Sequence, residues 1–589
     1  MARRDAVSAA VLIGAVVAAA LGADAPTRVR DLHSDTWVGT DALSRRLPGR
    51  DVCGPPKSGK AVGIFYFLWM QRRARQKVYD ISRLLAARGA APAYGPKHAF
   101  HWWGRPHLGY YVCDDEFVLR THARMLHNAG VDVVVFDVTN ALTYDHNLRT
   151  LCEVYRRMRL AGQGTPRIAF LANSRSDRVV RHLYETIYKK GLYRELWFRW
   201  KGRPLMLAPG RGLTDEHKRF FTLRQSWAWT QPKGWFGDGR DKWSWLDHHP
   251  QRPGWHSRPD EPEQISVCTA QHATSNIGRS FHAGRQPSPD DCDSARGLCF
   301  AEQWKRALAV DPEFIFITGW NEWIAQRFLR LPGRAPGGFL GKPLKPGETF
   351  FVDQYNQEFS RDIEPMHGGH GDNYYYQMVA GIRRFKGVRR RPRASAPTTV
   401  RIGGGFSAWR DVGPEFLDGI GDPARRDHGG FEAGTRYVNR SGRNDLVAAK
   451  VARDATNLFF HVRTAGAIRD PNGEDWMLLL LDTDAQTRTG WEGYDVLINR
   501  TRARPGTCSV ERCAGGWSWK PIGTARIAYK ADELHLAVSR KLLGLGGDGQ
   551  PPRIDFKWAD GTGNTGSILD FIDRGDVAPD GRFNYRYGP

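Results

Sequence analysis

Short apolar runs alternate with helical periodicity over residues 61–380. Seven runs rich in β-branched and aromatic residues predict strands, at 61–69, 131–140, 167–173, 204–209, 224–230, 264–272 and 313–320. Amphipathic stretches between several of them, notably DDEFVLRTHARMLHNAG and CFAEQWKRALAVDP, predict helices. This alternation indicates a parallel sheet covered on both faces. The predicted fold class is therefore α/β, a (β/α)8 TIM-type barrel with one strand unplaced, and a doubly wound open sheet is the alternative.

The pattern changes after a basic, proline-containing segment, GVRRRPRASAPTTV. From residue 401, short runs such as WMLLLLDTD and YDVLINR alternate with Gly, Asp and Asn turns, which is typical of an antiparallel β-sandwich. We therefore divide the chain into an N-terminal extension at 26–59, a barrel at 60–382, a basic linker at 383–400 and an all-β sandwich at 401–589.

The first 25 residues have the pattern of an export signal: basic residues, the apolar run AVSAAVLIGAVVAAALGA, then small residues. An uncleaved N-terminal anchor is the alternative, although the run is short for a membrane span. No later run is long and apolar enough to cross a bilayer, so we expect a secreted or periplasmic chain without a span once mature. Because such compartments are oxidising, we expect disulfides among the eight cysteines, with Cys508–Cys513 and Cys292–Cys299 as the pairs.

Charge and tryptophan content narrow the ligand class. The net charge of +23 is mostly scattered arginine, and exported proteins rarely meet nucleic acid, so we do not expect a nucleic-acid partner. A solvated basic surface is one interpretation, and attraction to an anionic glycan or cell envelope is the other. The 21 tryptophans concentrate in stretches such as HAFHWWGRPHLGYY and GWFGDGRDKWSWLDHHPQRPGWH, and loop indoles favour a sugar ligand.

Polar side chains stand where three predicted strands end, and in a parallel barrel these ends form the mouth of the active site. The residues are Asp137, Asn140, Asn173, Asn321 and Glu322. Asp and Asn at such positions also cap helices, but Glu is a poor cap. The neighbouring Trp323 supplies an apolar wall, which raises a carboxyl pKa as a general acid requires. We predict Glu322 as the acid, with Asp137 as one candidate partner.

The segment TFFVDQYNQEFSRDIEPMHGGHGDNYYYQ mixes acids, aromatic rings and histidines, as sugar sites do. It supplies four further candidates for the second carboxyl, Asp353, Glu358, Asp362 and Glu364, and two histidines for sugar hydroxyls, His367 and His370. Salt bridges to Arg361 are the alternative for each acid. Further candidates for contact with substrate are Tyr66, Trp69, Trp102, Trp103, Tyr110, Tyr111, Asn140, Asn173, Asn321 and Trp323.

Four motifs in order, GIFYFLW, GYYVCDDEFVLRTHARMLHNAGVDVVVFDVTN, WKGRPLMLAPG and FIFITGWNEW, resemble the glycoside hydrolase family 99 and 71 clan over residues 60 to 380. The resemblance implies a barrel of endo-acting enzymes that cleave α-mannans. That family carries a second Glu three residues after the first, within Glu-Gly-Thr. This chain has Ala325 there, then Gln326 and a long insertion, so the family's mechanism and substrate are not carried over intact.

The C-terminal region resembles family 9 carbohydrate-binding modules in GRNDLVAAKVARDATNLFFHVRT, WMLLLLDTDAQTRTGWEGYDVLINR and GDVAPDGRFNYRY. The resemblance implies a sugar-stacking platform, for which the candidates are Trp491, Tyr494, Trp517, Trp519 and Trp558. Asp482 and Asp484 are candidates for a structural calcium ion, with turn capping as the alternative.

The function predicted from these observations is that of an exported glycoside hydrolase that acts on a polysaccharide or glycan through carboxylate acid/base chemistry. Such hydrolysis needs no cofactor, and we expect no metal ion at the barrel site. The alternative is a non-catalytic surface glycan-binding protein with a degenerate barrel, which the loss of Glu at position 325 favours.

Overall fold

The computed structural model describes residues 29–87, 92–232, 234–469, 473–501, 504–545, 552–563 and 566–588. The predicted export signal at 1–25 lies outside the described residues. Within the described part of the chain, no helix combines the length and the apolar character that crossing a membrane requires.

Eight parallel strands form a nearly closed barrel. They are β1 Ala61–Tyr66, β2 Val133–Asp137, β3 Arg167–Leu171, β4 Arg203–Leu207, β5 Thr222–Ala228, β6 Lys242–Leu246, β7 Pro262–Cys268 and β8 Phe314–Thr318. Backbone hydrogen bonds join them in the order β6-β5-β4-β3-β2-β1-β8-β7. Gln264 Nε2 donates to the Ser244 carbonyl at 2.7 Å, which ties β7 to β6 and brings the ends of the order together. The α/β barrel is thus confirmed, and the open doubly wound sheet is wrong.

The strand that the sequence left unplaced is β6, inside the tryptophan-rich stretch after β5. Its Trp243 is fully buried, and Trp245 is also buried. The Trp243 indole donates to Glu263 Oε2 at 2.7 Å, and Arg224 Nε donates to the same oxygen at 2.6 Å. These two tryptophans therefore fill the barrel interior, and their assignment to a ligand-binding loop was wrong.

Six helices accompany the strands. They are α1 Glu116–Ala129, α2 Asp145–Leu160, α3 Ser176–Leu183, α4 Asp215–Phe220, α5 Leu298–Val310 and α6 Asn373–Lys386, and further short helices lie at Arg50–Cys53, Ile81–Ala86 and Asp570–Asp573. Helix α1 begins where Asp115 accepts a hydrogen bond from the Phe117 N–H at 3.1 Å, and it ends at Gly130, whose φ is 89°. Because α6 continues to Lys386, the first four residues of the predicted linker are helical.

The described residues between β5 and β6, and between β6 and β7, contain no helix. Strand β5 therefore alternates between buried residues and the half-exposed Leu223, Gln225 and Trp227. This alternation is what a sheet with one open face produces.

The C-terminal domain is one antiparallel sheet, called here the C-terminal sheet. Its strands are Phe416–Leu417, Leu446–Arg453, Asn457–Thr464, Leu478–Asp482, Val496–Ile498, Thr507–Gly515, Ser518–Lys530, Glu533–Ser539, Ile554–Asp560, Asp576–Ala578 and Tyr585–Tyr587. The Leu446 N–H donates to Asp576 Oδ2 at 2.5 Å, so strands far apart in the sheet order meet. The antiparallel β domain is confirmed, but it is one curled, barrel-like sheet and not two stacked sheets.

The barrel and the C-terminal domain share an interface, which includes a separate antiparallel hairpin of the strands Arg426–Gly429 and Arg436–Asn439. Arg426 Nε donates to Asp115 Oδ2 at 2.8 Å, and both side chains are buried. At the other end of the chain, the Val38 N–H donates to the Asn584 carbonyl at 2.9 Å, and the Asn584 N–H returns the bond at 2.7 Å. The predicted N-terminal extension is therefore attached to the last part of the C-terminal domain.

All eight cysteines are free thiols in the structure, so the predicted disulfides are absent. Cys508 and Cys513 lie on one strand and pair with Ala525 and Trp519 of the next. Five residues of extended strand span about 17 Å. A disulfide requires Cα atoms within roughly 7 Å, so the Cys508–Cys513 pair was wrong.

Candidate functional site

Glu322 lies just beyond the carboxyl end of β8, at the barrel mouth, and only 3% of the residue is exposed. Its Oε2 accepts hydrogen bonds from Arg361 Nη2 at 2.5 Å and from Gln354 Nε2 at 2.7 Å. Its N–H donates to Asp362 Oδ1 at 2.5 Å. The carboxyl predicted at this strand end is thus fixed in place by the segment that follows the insertion.

Arg361 joins Glu322 to a second carboxylate, that of Asp353. The same Nη2 atom lies 2.5 Å from Glu322 Oε2 and 3.4 Å from Asp353 Oδ1, so these two oxygens are less than about 6 Å apart. The Asp353 side chain is 41% exposed. One guanidinium therefore bridges a buried acid and a solvent-facing acid at the barrel mouth.

Asp137 ends β2 and is 7% exposed. Its Oδ1 accepts a hydrogen bond from the Thr139 N–H at 2.9 Å. Burial raises the pKa of Asp137, and the negative charge of Asp353 adds to this while Arg361 opposes it. Asp137, which was predicted from its position at a strand end, is therefore close enough for the charges of Arg361 and Asp353 to affect its pKa.

Burial also raises the pKa of Glu322 well above its ordinary value. The Arg361 guanidinium opposes this shift, whereas the charges of Asp353, Asp362 and Asp137 add to it. A carboxyl with a raised pKa keeps its proton closer to neutral pH, which suits a proton donor.

Asp362 positions the loop that carries Glu322. Besides accepting from the Glu322 N–H, it accepts a hydrogen bond from Trp103 Nε1 at 2.8 Å on Oδ2. Burial raises the pKa of Asp362 to about 6. Arg279 Nη2 donates to the Asp362 carbonyl at 2.6 Å, which fixes the same loop from the other side.

Two other candidate acids make bonds away from the mouth. Glu358 accepts hydrogen bonds from the Ser280 N–H at 2.7 Å and the Ser280 hydroxyl at 2.9 Å. Glu364 accepts from the Tyr111 hydroxyl and from Trp323 Nε1, both at 2.6 Å. These contacts give both acids a role in holding loops and rings together.

Most of the rings predicted to stack on sugar are buried, which leaves them no open face. They are Tyr66, Trp102, Trp103, Tyr110, Tyr111 and Trp323. Trp103 and Trp323 instead stack on each other, with centroids 4.4 Å apart and ring planes at 12°. Trp69, which is half-buried beside Phe67, keeps part of its surface exposed. The aromatic prediction therefore fails for the six buried rings because they fill the core beneath the mouth.

The polar residues predicted to contact substrate are also partly buried and partly exposed. Asn321 accepts from the Phe67 N–H at 2.9 Å and donates to the Phe67 carbonyl at 3.1 Å, so it ties β8 to the end of β1. Asn140, Asn173 and His367 are exposed, whereas His370 is buried against Trp103. Only the exposed three are available to a ligand.

Ala325, which stands where the resemblance implies a second Glu, lies in the strand Ile324–Leu329. It pairs with His101 in the strand Phe100–Trp102 and is buried. No acid reaches the mouth from this position, and Asp353 supplies one from the later segment instead. Gln354 and Arg279 were missed because no motif marks them, and Arg361 was weighed only as a salt-bridge partner.

In the C-terminal sheet the predicted stacking platform is not flat. Trp491, Tyr494, Trp519 and Trp558 are buried, and Trp517 meets Trp491 edge to face at 4.4 Å. The four buried rings pack into the core of the domain, and the half-buried Trp517 packs against them.

The predicted calcium ligands do come together. Side-chain oxygens of Asp482, Asp484 and Asp495 lie within 4.8 Å of one another. However, Asp482 Oδ1 accepts from the Ala485 N–H at 2.6 Å, and Asp495 Oδ2 accepts from the Thr483 N–H at 2.8 Å. Turn capping already satisfies much of this group.

Fold and site together define an α/β-barrel protein with paired carboxyls at its mouth. No family model matches the chain, and no curated protein matches it. Among solved structures, the GH99 endo-alpha-mannosidase from Bacteroides thetaiotaomicron is 15% identical, with 56% of this chain and 98% of that chain covered and a TM-score of 0.33. A glycoside hydrolase-like protein is 11% identical, with 60% and 99% covered and a TM-score of 0.31. With identities and TM-scores this low, these structures say nothing about the activity of the chain.

Proposed function

We propose that this protein is a glycoside hydrolase whose reaction takes place at the barrel mouth. The observation that supports this is the Arg361 bridge, which keeps Glu322 Oε2 and Asp353 Oδ1 less than about 6 Å apart. Retaining glycosidases hold their two carboxyls about 5–5.5 Å apart, and inverting enzymes about 6.5–9.5 Å. The spacing therefore favours a retaining arrangement.

In this proposal Glu322 transfers the proton and Asp353 is the second carboxylate. Burial favours the protonated form of Glu322, so it is suited to donate a proton to the leaving oxygen. Asp353 is the more exposed of the two, and its Oδ1 lies 3.4 Å from the Arg361 guanidinium. Asp137, at the end of β2, is the alternative second carboxyl, since the charge of the same arginine lowers its pKa against the effect of burial.

The proposed substrate is a polysaccharide or glycan, and the proposed location is secreted or periplasmic, because residues 1–25 have the pattern of an export signal. Sugar binding by the C-terminal sheet remains a prediction.

A non-catalytic glycan-binding protein is the second candidate. Two observations favour it: Glu322 is paired with Arg361 and almost fully buried, and Ala325 replaces the second acid that the resemblance implies. In that case the barrel mouth would bind sugar without cleaving it.

A polysaccharide screen with purified protein tests the proposal. We expect the wild type to release reducing ends and Glu322→Gln to lose at least about 100-fold in rate, a loss typical of removing an acid/base group. The matched control is Glu313→Gln. Glu313 lies just before the first residue of β8, at the end of the barrel away from the mouth, and its side chain is 44% exposed.

If the wild type and Glu322→Gln bind a glycan equally and neither releases product, the binding candidate replaces the hydrolase. If Glu322→Gln retains full activity, the assignment of Glu322 is wrong.

A further inference from the structure

A group of aspartates lies where the C-terminal sheet meets helix α1 of the barrel. Side-chain oxygens of Asp418, Asp422 and Asp576 all lie within 4.8 Å of one another. Asp580 borders this group, and its Oδ2 accepts a hydrogen bond from Asn128 Nδ2 of α1 at 2.6 Å. We call Asp418, Asp422 and Asp576 the junction acids.

Two of the junction acids, Asp418 and Asp422, have unsatisfied carboxylate oxygens, whereas Asp576 Oδ2 accepts a hydrogen bond from the Leu446 N–H. Asp418 is completely buried, and no donor in the described part of the chain hydrogen-bonds to either of its carboxylate oxygens. Neither oxygen of Asp422 accepts a hydrogen bond from an N–H of the described residues, although Arg124 Nη1 lies 3.3 Å from Asp422 Oδ2 and the Asp445 carboxyl is in side-chain contact with it. Since burying a carboxylate without a partner is costly, such a group marks a missing ligand.

Positive charge near the junction acids is limited. Arg124 Nε lies 3.0 Å from Asp580 Oδ1, so this guanidinium is shared between Asp422 and Asp580. The buried Lys557 donates to the Pro579 carbonyl. Two cations therefore face Asp418, Asp422, Asp576 and Asp580, which leaves uncompensated negative charge if all four are ionised.

Space for a ligand is also present. A cavity of about 20 Å³ is lined by Asp422, Asp576 and Asp580 together with Arg124, while Asp418 is not among its lining residues and reaches the other two acids from outside it. One water-sized particle needs roughly 10–15 Å³ by the same kind of measure. The cavity thus admits a single ion but no larger ligand.

The donor set selects the ion. Three carboxylates and no His or Cys favour a hard cation over zinc. Calcium accepts oxygen ligands in flexible geometry, whereas magnesium demands a near-ideal octahedron and keeps several of its waters. The junction oxygens lie within 4.8 Å of one another beside a cavity of about 20 Å³, which leaves no room for a hydrated magnesium ion and fits calcium.

We propose that Asp418, Asp422 and Asp576 bind one calcium ion at the interface between the barrel and the C-terminal sheet. Asp422 contacts Arg124 of α1, so the ion would fix residues from both domains in one charge network. The site is separate from Asp482, Asp484 and Asp495, whose turn already supplies backbone donors.

Calcium titration of the full chain tests the site. Protein stripped with EGTA is titrated with CaCl₂ by isothermal calorimetry, and its Tm is measured with and without the ion. We expect the wild type to bind calcium and its Tm to rise by a few degrees, because a ligand that binds only the folded state stabilises it. Asp418→Asn should bind one equivalent less and lose most of the Tm rise.

Asp484→Asn is the matched control, since it changes the other acidic group and should leave Asp418-dependent binding unchanged. If Asp418→Asn fails to fold, Asp422→Asn takes its place. The proposal is overturned if the wild type binds no calcium at millimolar concentration, which would mean that protons satisfy the cluster. It is also overturned if the folded variant keeps the full stoichiometry.

Discussion

Arg361 is the residue on which the arrangement of the carboxyls at the barrel mouth depends. It contacts Glu322 and Asp353 and lies over the ring of Trp245, with its guanidinium carbon 5.5 Å from the ring centroid. The position of Glu322 was predictable from the sequence, because a continuous apolar strand leads directly to it. The sequence did not single out Asp353 as the partner of Glu322. A long insertion separates the two residues in the chain, and no periodicity shows which of the acids after the insertion lies at the barrel mouth.

Replacing Arg361 should change the pH dependence of activity. Arg361 lowers the pKa of Glu322, so Arg361→Gln should raise that pKa further and move the alkaline limb of kcat/KM to higher pH. The sign follows because an acid with a higher pKa stays protonated to higher pH. The measurement is a pH profile on a substrate found by the screen, with Arg306→Gln on α5 as the control. A limb that moves to lower pH would contradict the role given to Arg361.

At the level of elements, the strands were predictable where apolar residues run on without interruption. Strand β6 was not, because KWSWL alternates polar and aromatic residues and is flanked by Gly and Asp, as a loop would be. Its tryptophans are buried by the curvature of the barrel, a long-range effect with no local signature. The curled C-terminal sheet was similarly interpreted as two sheets, because strand patterns do not show how a sheet closes.

Truncation of Trp243 tests the interior role of β6. Trp243 is fully buried and donates to Glu263, so Trp243→Ala should lower the free energy of unfolding by about 3–5 kcal/mol. Chemical denaturation followed by circular dichroism measures this. The control is the half-exposed Trp227→Ala on β5, which should cost less than half as much. Equal losses would show that Trp243 is no more important to the core than its neighbour.

At the scale of the whole molecule, the barrel and the C-terminal domain form one packed structure. Buried contacts such as Arg426 with Asp115 cross the interface, and Arg426 Nη1 also donates to the Leu108 carbonyl at 2.8 Å. The sequence predicted two domains and a linker, but nothing local to either domain identified these contacts. The residues of the ion pair are 311 positions apart in the chain.

Removing Arg426 tests the strength of this interface. Arg426→Met leaves Asp115 buried without its partner, which should lower the free energy of unfolding by about 3–5 kcal/mol. Arg436→Met is the control on the same hairpin, because Arg436 pairs with Asp427 on the surface and its side chain is 67% exposed. We expect no measurable change there. Two separate denaturation transitions, with only one of them moved, would show that the domains unfold independently.

The reciprocal hydrogen bonds between Val38 and Asn584 place the two ends of the described chain side by side. A fluorophore attached after residue 588 would therefore sit close to one placed at residue 40, two positions after Val38. Energy transfer between such a pair would report whether the N-terminal and C-terminal segments are in contact. Its loss on heating would give the temperature at which they separate.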